Sequence, residues 1–470
     1  MLNKINRYLP GDLHAHTFLS DGSHLLGEVL EQAFHKYNLD WLVISDHGGA
    51  FNRDPKGVPF SATSTKIRGE QYGKKGQMWR SQSIVDYGHP EIEKLKKYYP
   101  NKLVLHGLEY NLPLKGNVGV YIDKKSPESL AEFEYTFDYL DHDQSLGLPK
   151  YNKTALDAIK AARKLEENFL NESFYIINHP HVYRAFTPRL IRRLNDVAPG
   201  VVNGFEGLPG HQYRKGRGYY LYETGEDFRR YRLYGGADYM LAKVGGLWDS
   251  LLGEGRRFFV FAGSDFHIAG DDLDPFPGEY SKTYLYFETL DTKELIKSVK
   301  NGRAFVVLGD IVQGLDFTLE EKSKASLGEQ LFLDSNKVVV AIKVKVKDPS
   351  SLDHIDLIEG EVGKKCSPQS KDYDNSTNPT TKVALRIYKE DMKEVEPGIL
   401  QYKNYFTLNH QNGYLRLRGT NLPLNTKFET DFAGNPLIDD HDVRRNTKEI
   451  VLKDCWFYSN PIFYSKIKEV

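Results

Sequence analysis

The chain has almost no cysteine: Cys366 and Cys455 are the only two among 470 residues. That excludes a disulfide framework and a cysteine-rich zinc site, so any metal must be held by histidine and carboxylate. No apolar run approaches membrane-spanning length, and no membrane partner is expected. Charge of one sign is also missing. The 63 basic and 64 acidic side chains leave a formal net charge of -1. No block of basic residues forms a phosphate-backbone footprint, which argues against a long nucleic-acid tract as ligand. A short single-stranded end entering a pocket stays open. The first residues, MLNKINRYLPG, lack the apolar stretch of an export signal, so as written the chain is expected in the cytosol. A signal removed ahead of Met1 would leave no trace. No fixed-period repeat is present.

The length favours two domains, or one large barrel with a smaller companion. From residue 11 to about 310, short apolar runs alternate with helical patterns. The runs are DWLVIS (40–45), KLVLHGLE (102–109), VGVYI (118–122), FYIIN (174–178), VVNGFE (201–206), RFFVFAG (257–263) and TYLYF (283–287). Leu26, Leu30, Ala33, Phe34 and Tyr37 recur at helical spacing. So do Leu156, Ile159, Ala162, Leu165 and Phe169, after a cap at Thr154. This alternation predicts a parallel sheet, open or closed. The polar segment 48–100 is too long for a plain connection and reads as a functional or disordered loop. After residue 310, KVVVAIKVKV (337–346), KVALRIY (382–388) and GYLRLRG (413–419) alternate in twos. Residues 311–470 therefore read as a separate all-β domain, sandwich-like, behind a domain at 1–310. The aromatic WFYSNPIFY (456–464) and LYFETL read as sheet core and domain interface.

Polar clusters stand where the apolar runs stop. GDLHAHTFLSDG carries His14, His16 and Asp21, and SDH carries Asp46 and His47. GLE ends on Glu109, NHPH contains His179 and His181, GFEG contributes Glu206, and GSDFH holds Asp265 and His267. Strand C-termini of a parallel α/β barrel converge on one face, where functional residues collect. In H-x-H on a strand both imidazoles face one side, a good start for Zn, Mn or Fe. Read alone, His14 and His16 could equally be a satisfied pair of core histidines.

The ordered set DLHAHTFLSDG, ISDHG, GLE, NHP and GSDFH resembles the five-part signature of the PHP (polymerase and histidinol phosphatase) family over about residues 10–310. NGFEGLPGHQ, FPGEYSKTY and WFYSNPIFY look closest to its carbaryl-hydrolase-like subgroup, in which a β-rich domain follows. The resemblance implies a distorted seven-stranded β/α barrel with two or three divalent ions (Zn, Mn or Fe). His14, His16, Glu109 and Asp265 would hold one; Asp21, His47 and His267 would hold a second. Glu109 would bridge to a third site that includes His179. The family usually has a further histidine about eight residues after Glu109, where this chain has Asn117. The third site is therefore expected to be empty, weak or rescued by His181.

What the resemblance implies is a metal-dependent hydrolase acting on a small-molecule phosphoester. His211 or His181 would donate a proton and Arg80 would clamp an anion. A carbamate or carboxylic ester on the same metals is the alternative substrate. A third reading is an inactive, metal-bound barrel whose β domain binds glycan or protein. The amidohydrolases also open with H-x-H, but SDH and SDFH fit PHP better. Oligomeric state is not legible.

Overall fold

The computed structural model describes residues 7–54, 56–62, 66–68, 76–113, 116–123, 126–150, 154–182, 186–210, 233–270, 274–439 and 454–467. The seven expected apolar runs are strands, with one further strand before them and one after. In chain order they are β1 (Arg7–Asp12), β2 (Trp41–Ile44), β3 (Leu103–Leu112), β4 (Gly116–Ile122), β5 (Ser173–Ile177), β6 (Val202–Pro209), β7 (Phe259–Gly263), β8 (Ser281–Phe287) and β9 (Ala304–Leu308). Every residue of β2, β5 and β7 is buried. Both faces of these strands are covered, so they read as continuous apolar runs rather than alternations.

The sheet is mixed rather than parallel. β1–β2–β3 and β5–β6–β7 are parallel runs. β4 joins them antiparallel to both β3 and β5. A loop of three residues links β3 to β4, too short for the crossover that parallel pairing requires. Beyond β1 the sheet continues antiparallel through β8 and β9. A parallel bridge from Ala15 to Phe266 brings the region after β1 against the region after β7.

The helix read from Leu156 to Phe169 spans Ala155–Phe169. Thr154 donates its N–H and its hydroxyl to Asp157 Oδ2, each at 2.8 Å. Ile159, Ala162 and Leu165 are buried, but Leu156 is 59% exposed. Segment 48–100 is less irregular than its composition suggested: residues 80–98 run as consecutive helical turns. A five-residue π turn at Ile84–Gly88 and Pro90 at the next helix start break the 3.6 period there.

Beyond β9 the described residues form strands, with a few single 3-10 turns between them; the main strands are β10 (Gly314–Glu320), β11 (Gln330–Leu333), β12 (Lys337–Lys345), β13 (His354–Glu361), β14 (Lys382–Tyr388), β15 (Ile399–Thr407), β16 (Asn412–Thr420), β17 (Trp456–Ser459) and β18 (Ile462–Lys466). β10, β12 and β15 belong to a five-stranded antiparallel sheet. Its inner face (Leu315, Phe317, Val340, Ile342) shares a core with Phe305, Val307, Leu357 and Leu417 of the large sheet. The large sheet does not stop at residue 310. β17 pairs with β9 on one side and β16 on the other, making fifteen strands in all. The aromatics of WFYSNPIFY are buried in that seam.

Candidate metal centre

β1 ends at Asp12, and the chain stays extended past it. Ala15 is wholly buried among Leu26, Ile44 and Phe266. Its neighbours His14 and His16 therefore turn together to the opposite side. Asp12 Oδ1 accepts from His14 N at 2.9 Å and from Ser264 N at 3.1 Å, tying the ends of β1 and β7. Asp46 fixes the loop after His16 by accepting from Thr17 N at 2.7 Å and Ser20 Oγ at 2.5 Å. A side chain at Gly263 would run into Glu206 and His14.

Four ligand atoms converge. His14 Nε2 lies 3.0 Å from His16 Nε2, 3.2 Å from Glu109 Oε2 and 3.1 Å from Asp265 Oδ1. His16 Nε2 is 3.2 Å from each of the same two oxygens. A regular tetrahedron of ligands about 2.0–2.1 Å from its centre has edges of about 3.3–3.4 Å. Five edges of this group thus come close to that figure. Glu109 Oε2 is buried with no hydrogen-bond partner, although nitrogens of His14, His16 and His47 stand 3.1–3.2 Å away. A carboxylate oxygen so crowded, yet accepting nothing, fits a cation at the centre of the group.

Asp21, His47 and His267 form a second group that also reaches His16. Asp21 Oδ1 is 3.4 Å from His267 Nε2, and its Oδ2 is 3.7 Å from His47 Nε2. A neutral imidazole has one lone pair, so His16 serves one ion at a time. With its Nε2 in the first group, the second keeps Asp21, His47 and His267. His179 Nε2 lies 3.1 Å from Glu109 Oε1, to which Asn178 Nδ2 donates at 3.0 Å. Among the described residues, the remaining predicted groups do not join a cluster. Asn117 donates its amide to Asn111 Oδ1 at 3.2 Å. His181 turns to Asp238, with Nδ1 and Oδ2 3.0 Å apart. Arg80 is not an open anion clamp. It is buried, and its donors go to the carbonyls of His47 and Leu19 and to Ser83 Oγ. Its work is to tie the Asp21 and His47 loops together. His211 lies outside the described residues.

Sequence reading gave Glu206 no role, yet its Oε1 is 2.8 Å from His14 Nδ1. Its other oxygen accepts from His179 N at 3.0 Å. His179 (φ 22°) and Asp265 (φ 51°) both hold left-handed backbone, which is uncommon for these residues and clusters at functional sites.

The electrostatics are those of a cation site. Burial works against charge on His14, but Glu109, Glu206 and Asp265 hold its pKa well above the usual value. Burial likewise opposes charge on His267, yet Asp21 and Asp265 push it up to about 10. Glu109, fully buried, stays well below the carboxylate range because of His14 and His47. Without metal, protons on imidazole supply the positive charge these carboxylates demand.

No family model and no curated protein matches the chain. Among solved structures it is similar to PsfC from Pseudomonas syringae PB-5123, at 14% identity over 62% of this chain and 89% of that one. The TM-score is 0.30, too low for that likeness to inform fold or function.

Proposed function

We propose that the chain is a PHP-type metal-dependent hydrolase, with residues 1–310 forming the distorted barrel and a small phosphoester as substrate. The observation that carries this is the near-tetrahedral group of His14, His16, Glu109 and Asp265 beside Asp21, His47 and His267. Mixed imidazole and carboxylate donors suit Zn, Mn or Fe(II). Divalent cations held by these residues would acidify water toward neutrality and offset charge on phosphoryl oxygens.

The protein's own groups do the rest. Glu109 offers Oε2 to the first group while Asn178 and His179 hold Oε1. Glu206 orients the His14 ring. His181 and Asp238 are the proton source. Burial raises Asp238 and lowers His181, so both groups are pushed toward their neutral forms, and they share a hydrogen bond of 3.0 Å. Arg80 bears on the competing reading. Its guanidinium is spent on backbone carbonyls, which removes one cation from the substrate side. That is the observation on the side of the second reading, a carbamate or carboxylic ester on the same metals.

The test is metal analysis of protein purified without a metal column, then turnover of p-nitrophenyl phosphate, bis-p-nitrophenyl phosphate and 1-naphthyl acetate. His14→Ala, His47→Ala and Asp265→Ala are each expected to lose metal and turnover. Full metal content and activity in all three would end the hydrolase assignment. Turnover of the acetate alone would select the second reading.

A further inference from the structure

At the far end of β1 from the metal centre, a trough runs along the seam between the large sheet and the five-stranded sheet. Its main chamber is about 640 Å³ and is lined by five basic side chains, Arg7, Arg303, Lys324, Lys343 and Lys345, against two acidic ones, Asp316 and Glu329. A second chamber of about 510 Å³ shares Arg7, Tyr8 and Lys345 with the first and adds Lys36 and Lys282. Both acids of this second chamber are already engaged: Asp40 with Lys102 at 3.0 Å and Asp310 with Lys282 at 2.6 Å. No ion pair engages Arg7, Lys343 or Lys345 among the described residues. The Arg303 guanidinium lies over the Tyr286 ring, with Cζ 3.7 Å from its centroid. Its Nε has no hydrogen-bond partner, and its nearest carboxylate, Glu288, is 3.8 Å away.

These cations come from parts of the chain that are distant in sequence, so no basic block announces them. The chain as a whole is balanced at a net charge of -1, so the excess here is local. A concave surface with an excess of positive charge attracts anions. The composition of the trough narrows the anion. Stacked arginine presents a planar fork that matches phosphoryl oxygens, and the lysines add point charges along the trough. A single small anion would meet only part of this lining, whereas phosphoryl groups in a row would meet it all. Tyr8 and Tyr286 line the same chamber and offer apolar wall beside the charges.

We infer that this seam is a second binding site, for an oligophosphate that is either free or carried by a nucleoside. It is separate from the metal centre. Seven residues of extended chain from Arg7 to His14 span roughly 23 Å. It stands whether or not the hydrolase reading holds.

The experiment is calorimetric titration of the whole protein with sodium triphosphate and, in parallel, with ATP, at fixed ionic strength. The variants are the double charge reversal K343E/K345E, the control K403E, and H14A. Lys343 and Lys345 are exposed on alternate positions of β12, so the reversal leaves the sheet core intact. Lys403 is an exposed lysine of β15 outside the trough. The double reversal is expected to weaken triphosphate at least tenfold, while K403E and H14A leave trough binding unchanged. ATP binding tighter than triphosphate would assign a nucleoside-borne ligand, and equal affinity a free one. Unchanged affinity in K343E/K345E, equal loss in K403E, or loss only in H14A would overturn the site. The last result would move the anion to the metal centre.

Discussion

Glu206 holds His14 from behind: its Oε1 is 2.8 Å from His14 Nδ1, on the opposite edge of the ring from the converging Nε2. The same carboxylate accepts the His179 N–H at 3.0 Å, so one buried group sets a ring orientation and a left-handed turn together. Groups behind a metal-binding histidine fix its tautomer and raise its basicity. Glu206→Gln keeps the shape but removes the charge. The expected outcome is metal affinity at the first position lowered by about 10–100-fold, the usual cost of losing such a partner. Competition with a fluorescent chelator measures it. Unaltered affinity would mean that Glu206 only fills space.

What was legible in the sequence and what was not divides along contact range. Short apolar runs placed the strands before residue 310, period-two alternation placed those after it, and H-x-H placed His14 and His16, because these signals lie within a few residues. Glu206 stands 192 residues from His14 and Asp238 stands 57 from His181, so no local pattern pairs them. Arg80 looked like a loop cation, since nothing local tells a buried arginine from a solvated one. The run of β4 was read, but its antiparallel direction was not, because a buried antiparallel strand has the same apolar run as a parallel one.

The number of metals follows from Asn117. Its amide is engaged with Asn111, so it adds no strong donor beside Glu109 and His179. Titration is expected to give about two tight equivalents per chain, with a third much looser. Asn117→His should tighten the third. Three tight equivalents in the unaltered protein that survive His181→Ala would show that an imidazole at 117 is unnecessary.

The pH dependence differs between loaded and metal-free protein. In the metal-free protein His267 is raised to about 10, and His14 well above its usual value, by the carboxylates around them. A histidine raised on folding contributes stability that is fully present below about pH 6.5 and lost as pH rises through the folded value. Chelator-treated protein should therefore melt at progressively lower temperature between about pH 6.5 and 10. Metal replaces those protons, so its binding should release protons at neutral pH and tighten as pH rises. The gap between melting curves with and without metal should widen with pH. A gap that narrows would reverse the sign and place the charge elsewhere.

The change of pattern at residue 310 suggests two domains, but the hydrogen bonds cross it. β17 lies between β9 and β16, and Asn460 reaches β7, accepting from Val260 N at 2.7 Å and donating to Val260 O at 3.2 Å. The link from β9 to β10 contains Ile311 and Val312, both buried, so a protease finds little exposed chain there. Trp456 and Tyr458 belong to the same core as Val260 and Leu285. Removing residues 454–470 would strip the central partner of β9 and open that core. Such a truncated chain is expected to lose metal binding along with the all-β region, and the whole protein to unfold in one transition by calorimetry. Two resolved transitions, or a fragment ending near residue 310 that keeps two equivalents of metal, would show that the regions fold independently despite the shared sheet.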